Sequence, residues 1–452
     1  MRILIVIPRS YNKKEVYKEY PLGAGYIGTI LLNMGHEVKL IDQNVEFCEN
    51  DDLVCEIVKF APSLIGFSIL TATYPTALEI INLLKKNKIR TTLFAGGIHP
   101  TLFPEDCINE NFDFVIKGEG EIVIQKFIQY LEGKISIDDV PNIAYKNYSG
   151  IIINKPMEKI CMDVNSIPFV DRNLFNLNKY SNHSISGTRG CPFSCKFCCS
   201  YSNLSSVSFK KRMRTTENII KEIKYILDNF ENKDFFFTDD VFFSKKSNLQ
   251  EFVRLIKLNN IKINFNAQLR VNMITDDVCR LLIEAGCKKI EVGVESGSQK
   301  ILDGACKGIK IDDIIRGISI AKNNGIRIKT NWIYGLPGSM EEQYKAIDLM
   351  IKTKPNEISV HQLIPFPGTE YYNNRSEYGI IIQNPKDFKS FCYGDLDDNI
   401  IYKYMDKHQY IKLVNDTIVA LEDIGYISSD CGNEFEYIYS TPFNKFTFKP
   451  IL

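Results

Sequence analysis

The sequence predicts an α/β protein in two main parts: a doubly wound domain, then a partial (β/α)6 barrel closed by a small α-rich cap. Three observations predict it. Short, almost uninterrupted apolar runs alternate with helical segments from residue 2 to residue 131, the pattern of a parallel sheet buried on both faces. The rhythm lapses over 136–180 and resumes near His183. Six further strand–helix units then follow by residue 385, fewer than the eight of a closed barrel.

In order, RILIVIP (2–8) is the first strand and Gly23–Met34 the first helix. EVKLID (37–42), SLIGFSIL (63–70), TTLFAGG (91–97) and DFVIKGE (113–119) are further strands, separated by helices at Leu53–Phe60 and Tyr74–Lys86 and closed by Glu121–Leu131. This first domain is assigned to 1–135, with its ligand crevice at the carboxyl ends of the strands. A hairpin around Tyr148–Gly150 and the stretch VNSIPFVDRNLF (164–175) form a linker over 136–180. The barrel spans 181–385, with strands at 184–188, 234–240, 262–269, 288–294, 326–335 and 357–364. The helices between them include Thr216–Asn229, Ser247–Leu258, Asp276–Ala285 and Lys310–Asn323. The cap, 386–452, holds one helix (Tyr402–Ile424) and aromatic residues including Phe388, Phe391, Tyr393, Tyr404 and Tyr410.

Composition narrows the function. The chain has 452 residues, with 55 Lys+Arg against 55 Asp+Glu. A net charge of zero leaves no broad basic face for a nucleic-acid backbone. The apolar run Ile3–Ile7 is too short for a signal peptide, and no run is long enough to span a membrane, so a soluble cytoplasmic protein is expected. Thirteen cysteines without a secretory signal argue against a disulfide framework. Nine are scattered (Cys48, Cys55, Cys107, Cys161, Cys279, Cys287, Cys306, Cys392, Cys431) and are expected to be mostly buried small hydrophobes.

The other four lie within GTRGCPFSCKFCCS (187–200). Cys191, Cys195 and Cys198 stand as C-x3-C-x2-C in a loop directly after a strand. Thiolates bind zinc or iron–sulfur clusters. Structural zinc wants four ligands, usually as two pairs, and no second pair exists here. Three thiolates on a four-iron cluster leave one iron open to a substrate. Cys199 adjoins Cys198 and points elsewhere, as a packing or supporting thiol.

This loop resembles the signature of the radical S-adenosylmethionine (SAM) superfamily. The resemblance implies a [4Fe–4S] cluster whose open iron chelates SAM, and reductive cleavage to a 5′-deoxyadenosyl radical. Further matches follow in barrel order. Phe197 stands where the family places an aromatic against adenine. TDD (238–240) resembles the methionyl-amine region, with Asp240 preferred over Asp239, which alone would read as a helix-capping acid. Arg270 is similar to the arginine that meets the carboxylate, and Glu295 in GVESGS to the acid on the ribose hydroxyls. GLPG (335–338), with Pro337, resembles the turn near adenine, and PFPGT (365–369) the segment after the sixth strand. All lie at carboxyl ends of strands, where barrel active sites form.

PLGAGYIG (21–28) carries a G-x-G-x-x-G spacing, but a polar run separates it from the first strand, which argues against a nicotinamide site. With SILTATYP (68–75), GGIHPT (96–101) and KGEGE (117–121) it resembles instead the cobalamin-binding domain fused before radical SAM barrels. The two resemblances together cover about 1–385. Gly23, Ser68, Thr71, Gly97, Gly118 and Glu119 are the candidate cobalamin contacts. Asp42-Gln43-Asn44 stands where other cobalamin proteins have D-x-H, implying cobalt without a histidine below it, either five-coordinate or facing a loop side chain such as Leu70 or Thr71. His99 is expected to be a hydrogen-bonding loop residue rather than a ligand.

FKKRMR (209–214), with Lys210, Lys211, Arg212 and Arg214, reads as a solvated loop or as an anion contact. The resemblance implies a cobalamin-dependent radical SAM methyltransferase. The radical abstracts hydrogen from a small-molecule substrate, which methylcobalamin then methylates. A flavodoxin or ferredoxin would reduce the cluster. The alternative keeps the cofactors but performs a cyclisation, ring contraction or oxidative rearrangement; a non-enzymatic binding role is opposed by the retained cysteines.

Overall fold

The computed structural model describes residues 1–12, 19–47, 49–154, 163–200, 211–243, 245–392, 398–428 and 445–450. Cys48, Cys161, Cys431, Lys210 and Tyr393 lie outside the described residues. The chain forms two compact units, Met1–Ser184 and Ile185–Leu452.

In the first unit, β1 (Arg2–Ile7), β2 (Glu37–Asp42), β3 (Leu64–Ser68), β4 (Thr92–Gly96) and β5 (Phe114–Ile116) pair in the parallel order β2-β1-β3-β4-β5. Helices α1 (Leu22–Asn33), α2 (Asn50–Phe60), α3 (Tyr74–Lys86), α4 (Ile98–Leu102), α5 (Pro104–Asn109) and α6 (Glu121–Leu131) connect and cover them. Ile3, Leu4 and Val6 are fully buried, which explains the continuous apolar run of β1. Burial of each such side chain contributes roughly 1.5–3 kcal/mol. The hairpin β6 (Ile143–Asn147) and β7 (Gly150–Ile153), expected in the linker, instead extends this sheet antiparallel beyond β5. Its apolar alternation needs a partner, and the β5 edge provides one.

In the second sheet, β8 (His183–Ile185) stands at one edge. A short ribbon, β9 (Thr188–Arg189) with β10 (Arg212–Met213), precedes α7 (Thr216–Asn229). The barrel strands β11 (Asp234–Phe237), β12 (Asn264–Leu269), β13 (Cys287–Glu295), β14 (Arg327–Tyr334) and β15 (Glu357–Gln362) follow in parallel order from β8. Between them run α8 (Lys246–Leu258), α9 (Asp276–Ala285), α10 (Gln299–Gly304), α11 (Ile311–Asn323) and α12 (Met340–Thr353), and α13 (Glu370–Asn373) follows β15. Phe237, Phe242, Phe252 and Phe265 interlock beneath the β11 and β12 ends.

The tail contains α14 (Lys407–Glu422) in place of the longer helix expected from Tyr402. Tyr402 itself ends β17 (Ile400–Tyr402), which pairs with β16 (Ile380–Ile382). Asp406 stops the helix from starting earlier: its carboxylate accepts from Gln409 N at 2.7 Å as an N-cap. The tail also adds two antiparallel strands, β18 (Tyr426–Ser428) and β19 (Lys445–Pro450), next to β15. Among the described residues no helix is long and apolar enough to cross a membrane.

Candidate functional site

In the second unit, the cysteine loop hangs on backbone bonds from several elements. Gly187 N donates to Asp239 Oδ2 at 3.0 Å, and Arg214 N to Gly187 O at 2.9 Å. Lys196 N donates to Ala305 O, Tyr371 N to Lys196 O and Cys198 N to Cys195 O, at 3.1, 3.2 and 3.1 Å. Cys195 is buried, Cys191 and Cys198 half-buried, and Cys199 exposed. Burial raises the Cys191 and Cys198 thiols, Cys198 to about 12, and the nearby Cys195 adds to both. A metal that takes the thiolate charge removes that obstacle.

Among the described residues no three His, Cys, Asp or Glu side chains converge on one ion-sized point. A cluster takes each thiolate on a different iron, so three cysteines spread along one loop fit a four-iron cluster with one iron left open. Ser200 supports the loop: its N–H donates to Cys198 Sγ at 3.4 Å and its hydroxyl to Asp240 Oδ2 at 2.7 Å.

The two acids after β11 have separate situations. Asp239 is buried, which pushes its carboxyl up to about 6, and it anchors Gly187. Asp240 is exposed and joined through Ser200 to the third cysteine. After β12, Arg270 is buried with its guanidinium 3.7 Å from the centre of the Phe193 ring. Its Nη2 donates to the carbonyls of Lys307 and Gly308. Its buried Nε has no partner among the described residues. A donor so placed suits an incoming carboxylate.

Glu295 ends β13 in the left-handed region, φ +68°, beside a register shift in the β13–β14 pairing. Its Oε1 accepts from Lys307 Nζ at 2.7 Å, both side chains being about nine-tenths buried. Lys307 Nζ also stands 5.8 Å from the Phe197 ring centre. Pro337 is half-buried in a turn held by other means. Gln343 Nε2 donates to Leu336 O at 2.6 Å and Tyr404 OH to Gly335 O at 2.9 Å. The 365–369 segment ends at Thr369, whose hydroxyl caps α13.

Thus Cys198 and Asp240 are linked through Ser200, and Arg270 and Glu295 through Lys307, with Phe197 beside the lysine. Ser200, Phe193 and Lys307 escaped sequence reasoning, because a lone polar or aromatic residue in a loop carries no periodic signal. The basic run is not solvated where described. β10 pairs with β9, and both Arg212 within it and Arg214 after it are buried. Arg214 pairs with Glu222 at 2.5 Å and donates to Ser186 O at 2.9 Å. Lys211 Nζ donates to Val241 O at 2.9 Å. Of the scattered cysteines described, Cys107, Cys279, Cys287 and Cys392 are buried as expected. Cys55 and Cys306 are exposed, Cys55 on an outward helix position and Cys306 in a left-handed turn, φ +52°.

In the first unit the candidate crevice is made of backbone and small side chains. Gly97 has φ +107°, and an added Cβ would sit 2.6 Å from Ile69 O, so only glycine fits there. Thr101 Oγ1 donates to Gly97 O at 2.7 Å and accepts from Gly118 N at 2.8 Å, stapling the ends of β4 and β5. Ser68 is half-buried, Thr71 buried, Glu119 half-buried and Gly23 exposed. Leu70 is 41% exposed at the end of β3, an apolar side chain facing outward. Gly25 and Gly28 serve packing: a Cβ would meet Val170 at 2.7 Å and Leu174 at 2.8 Å.

Where other cobalamin proteins have histidine, Asn44 donates its amide to Asp42 Oδ1 at 2.7 Å. Asp42 Oδ2 accepts from Tyr180 OH at 2.8 Å. His99 is fully buried between Tyr74 and Phe103, ring centres 3.9 and 5.1 Å away, and burial lowers it to about 3. It is a core residue. Small residues and an outward leucine at these strand ends fit a corrin that takes no histidine from this unit.

The cysteine loop, buried Arg270 and clamped Glu295 lie at strand ends of the second unit, and the radical SAM superfamily model matches residues 185–350. The B12 binding domain model matches residues 11–128. The chain therefore carries a radical SAM domain preceded by a B12-binding domain. An uncharacterized methyltransferase of Pyrococcus horikoshii is 27% identical over 433 residues, 93% of this chain and 92% of that protein. The anaerobic magnesium-protoporphyrin IX monomethyl ester cyclase of Synechocystis is 26% identical, over 84% of this chain and 78% of the cyclase. The radical SAM methyltransferase TsrM of Kitasatospora setae, solved with cobalamin and a [4Fe–4S] cluster bound, shares the fold at a TM-score of 0.70. Its identity is 17%, over 85% of this chain and 81% of that one. The two domains imply a [4Fe–4S] cluster, SAM and cobalamin as cofactors.

Proposed function

We propose that this protein is a cobalamin-dependent radical SAM methyltransferase acting on a small molecule, in the cytoplasm, with a flavodoxin or ferredoxin as reductant. The observation that carries the reading is the set of strand-end residues of the second unit, on one chain with a cobalamin-type sheet. When bound, the reduced cluster supplies the electron that cleaves SAM to a 5′-deoxyadenosyl radical, and cobalamin carries the methyl group.

The chain's own residues bind and orient. Cys191, Cys195 and Cys198 hold the cluster. Asp240 receives the methionyl amine, and Arg270 offers its Nε to the carboxylate. Glu295 accepts from the ribose hydroxyls, while Phe197 and Pro337 flank adenine. Ser68, Thr71, Gly97, Gly118, Glu119 and Gly23 would border the corrin, with the exposed Leu70 among them. The tail excludes water: Tyr404 OH and Tyr402 OH donate to the carbonyls of Gly335 and Leu363, beyond the ends of β14 and β15.

The test is anaerobic incubation with S-[methyl-²H₃]adenosylmethionine and candidate substrates. A product carrying the deuterium label supports methyl transfer. The cyclase among the relatives favours a second reading, rearrangement with the same cofactors. An altered product without label, formed with 5′-deoxyadenosine, would establish that reading instead.

A further inference from the structure

Lys307 lies outside every motif, yet three residues of the SAM site meet at it. Its Nζ donates to Glu295 Oε1 at 2.7 Å. Its carbonyl accepts from Arg270 Nη2. The Phe197 ring centre is 5.8 Å from its Nζ. The backbone around it is shaped for this: Cys306 and Gly308 on either side are left-handed, φ +52° and +65°. Gly308 then adds a second carbonyl for Arg270 Nη2, at 3.3 Å. On β13, Gly293 leaves room for the pair. A Cβ there would lie 2.1 Å from Glu295 Oε1 and 2.8 Å from Lys307 Nζ. Lys307 occupies only one carboxylate oxygen, and Oε2 of Glu295 accepts from no described residue.

We infer that Lys307 is a positioning residue for the nucleoside of SAM. Its ammonium fixes the Glu295 carboxylate so that Oε2 accepts from a ribose hydroxyl, and its carbonyl sets the guanidinium of Arg270. The inference rests on the SAM reading of this site. A buried carboxylate held by one short charge-assisted bond keeps one orientation, and without the lysine that orientation is lost.

The experiment uses the cluster-loaded holoenzyme and compares binding of S-adenosylhomocysteine with its analogue lacking both ribose hydroxyls. Wild type should prefer the ribose form by at least roughly tenfold, the scale of one well-placed hydrogen bond. Lys307→Met should abolish the preference with iron content unchanged, and Lys307→Arg should restore most of it. A Lys307→Met enzyme with wild-type preference would overturn the assignment. Glu295→Gln/Lys307→Met removes both charges and so avoids an uncompensated buried one. It should bind no more weakly than Glu295→Gln alone; a further tenfold loss would also overturn the assignment. Wild type that binds neither ligand would overturn the nucleoside reading itself, and this assignment with it.

Discussion

The two units place ligand-facing residues at the same position, the carboxyl ends of parallel strands, but build them from different materials. The second unit uses charged side chains, clamped by buried partners: Arg270 on two carbonyls and Glu295 on Lys307. The first uses backbone, with Gly97 and Gly118 both left-handed and joined through one threonine hydroxyl. A small, charged, chelating ligand calls for aimed charges. A broad macrocycle calls for a surface from which side chains are withdrawn. Damage should therefore act through chemistry in the second unit and through shape in the first.

The largest expected effect is on the cluster. Replacing Cys191, Cys195 or Cys198 with Ala should abolish bound iron and lower 5′-deoxyadenosine formation by about 10³-fold or more, since the cofactor carries the chemistry. Cobalamin binding to the first unit should survive, and its simultaneous loss would break the contrast. Next, Arg214→Met strands the buried Glu222 carboxylate and should destabilise the second unit by ~3–5 kcal/mol in chemical denaturation. Adding Glu222→Leu should recover most of that.

Gly97→Ala should act by shape. A side chain at φ +107° that meets Ile69 O should destabilise the first unit by about 2–3 kcal/mol and weaken corrinoid binding. Formation of 5′-deoxyadenosine should persist. An effect spread over pH, with almost none near neutrality, is a slope from His99, lowered from 6.5 to about 3 by burial. The unfolded chain takes a proton near pH 6.5 and the folded chain does not until about pH 3. Its stabilising contribution is thus full above pH 6.5 and falls as pH drops through that window, by about 1.4 kcal/mol per pH unit at most. His99→Phe should flatten the stability profile of the first unit between pH 6 and pH 4, by about that slope.

The same difference explains what was legible in the sequence. The barrel strands and their order followed from apolar runs of the right length, and the chelating loop from three cysteines at fixed spacing. Lys307, Phe193 and Ser200 were not legible, because each acts through a contact that chain folding alone creates. In the first unit the glycines were visible but their roles were not. Gly25 and Gly28 have the spacing of a dinucleotide loop, which the polar run before them argues against, and they make room for Val170 and Leu174. The basic run misled for a similar reason: pairing of two-residue strands, too short to show alternation, carries the buried Arg212, and Glu222 and the Ser186 carbonyl hold the buried Arg214. Tyr402 looked helical until the Asp406 cap set the start of α14.

The central claim is that the second unit's strand ends hold a cluster and SAM together. Its most direct test is the yield of 5′-deoxyadenosine when anaerobically reconstituted, chemically reduced protein is given SAM. Wild type should release 5′-deoxyadenosine and Cys198→Ala none above background. Wild type with full iron content that releases none would contradict it.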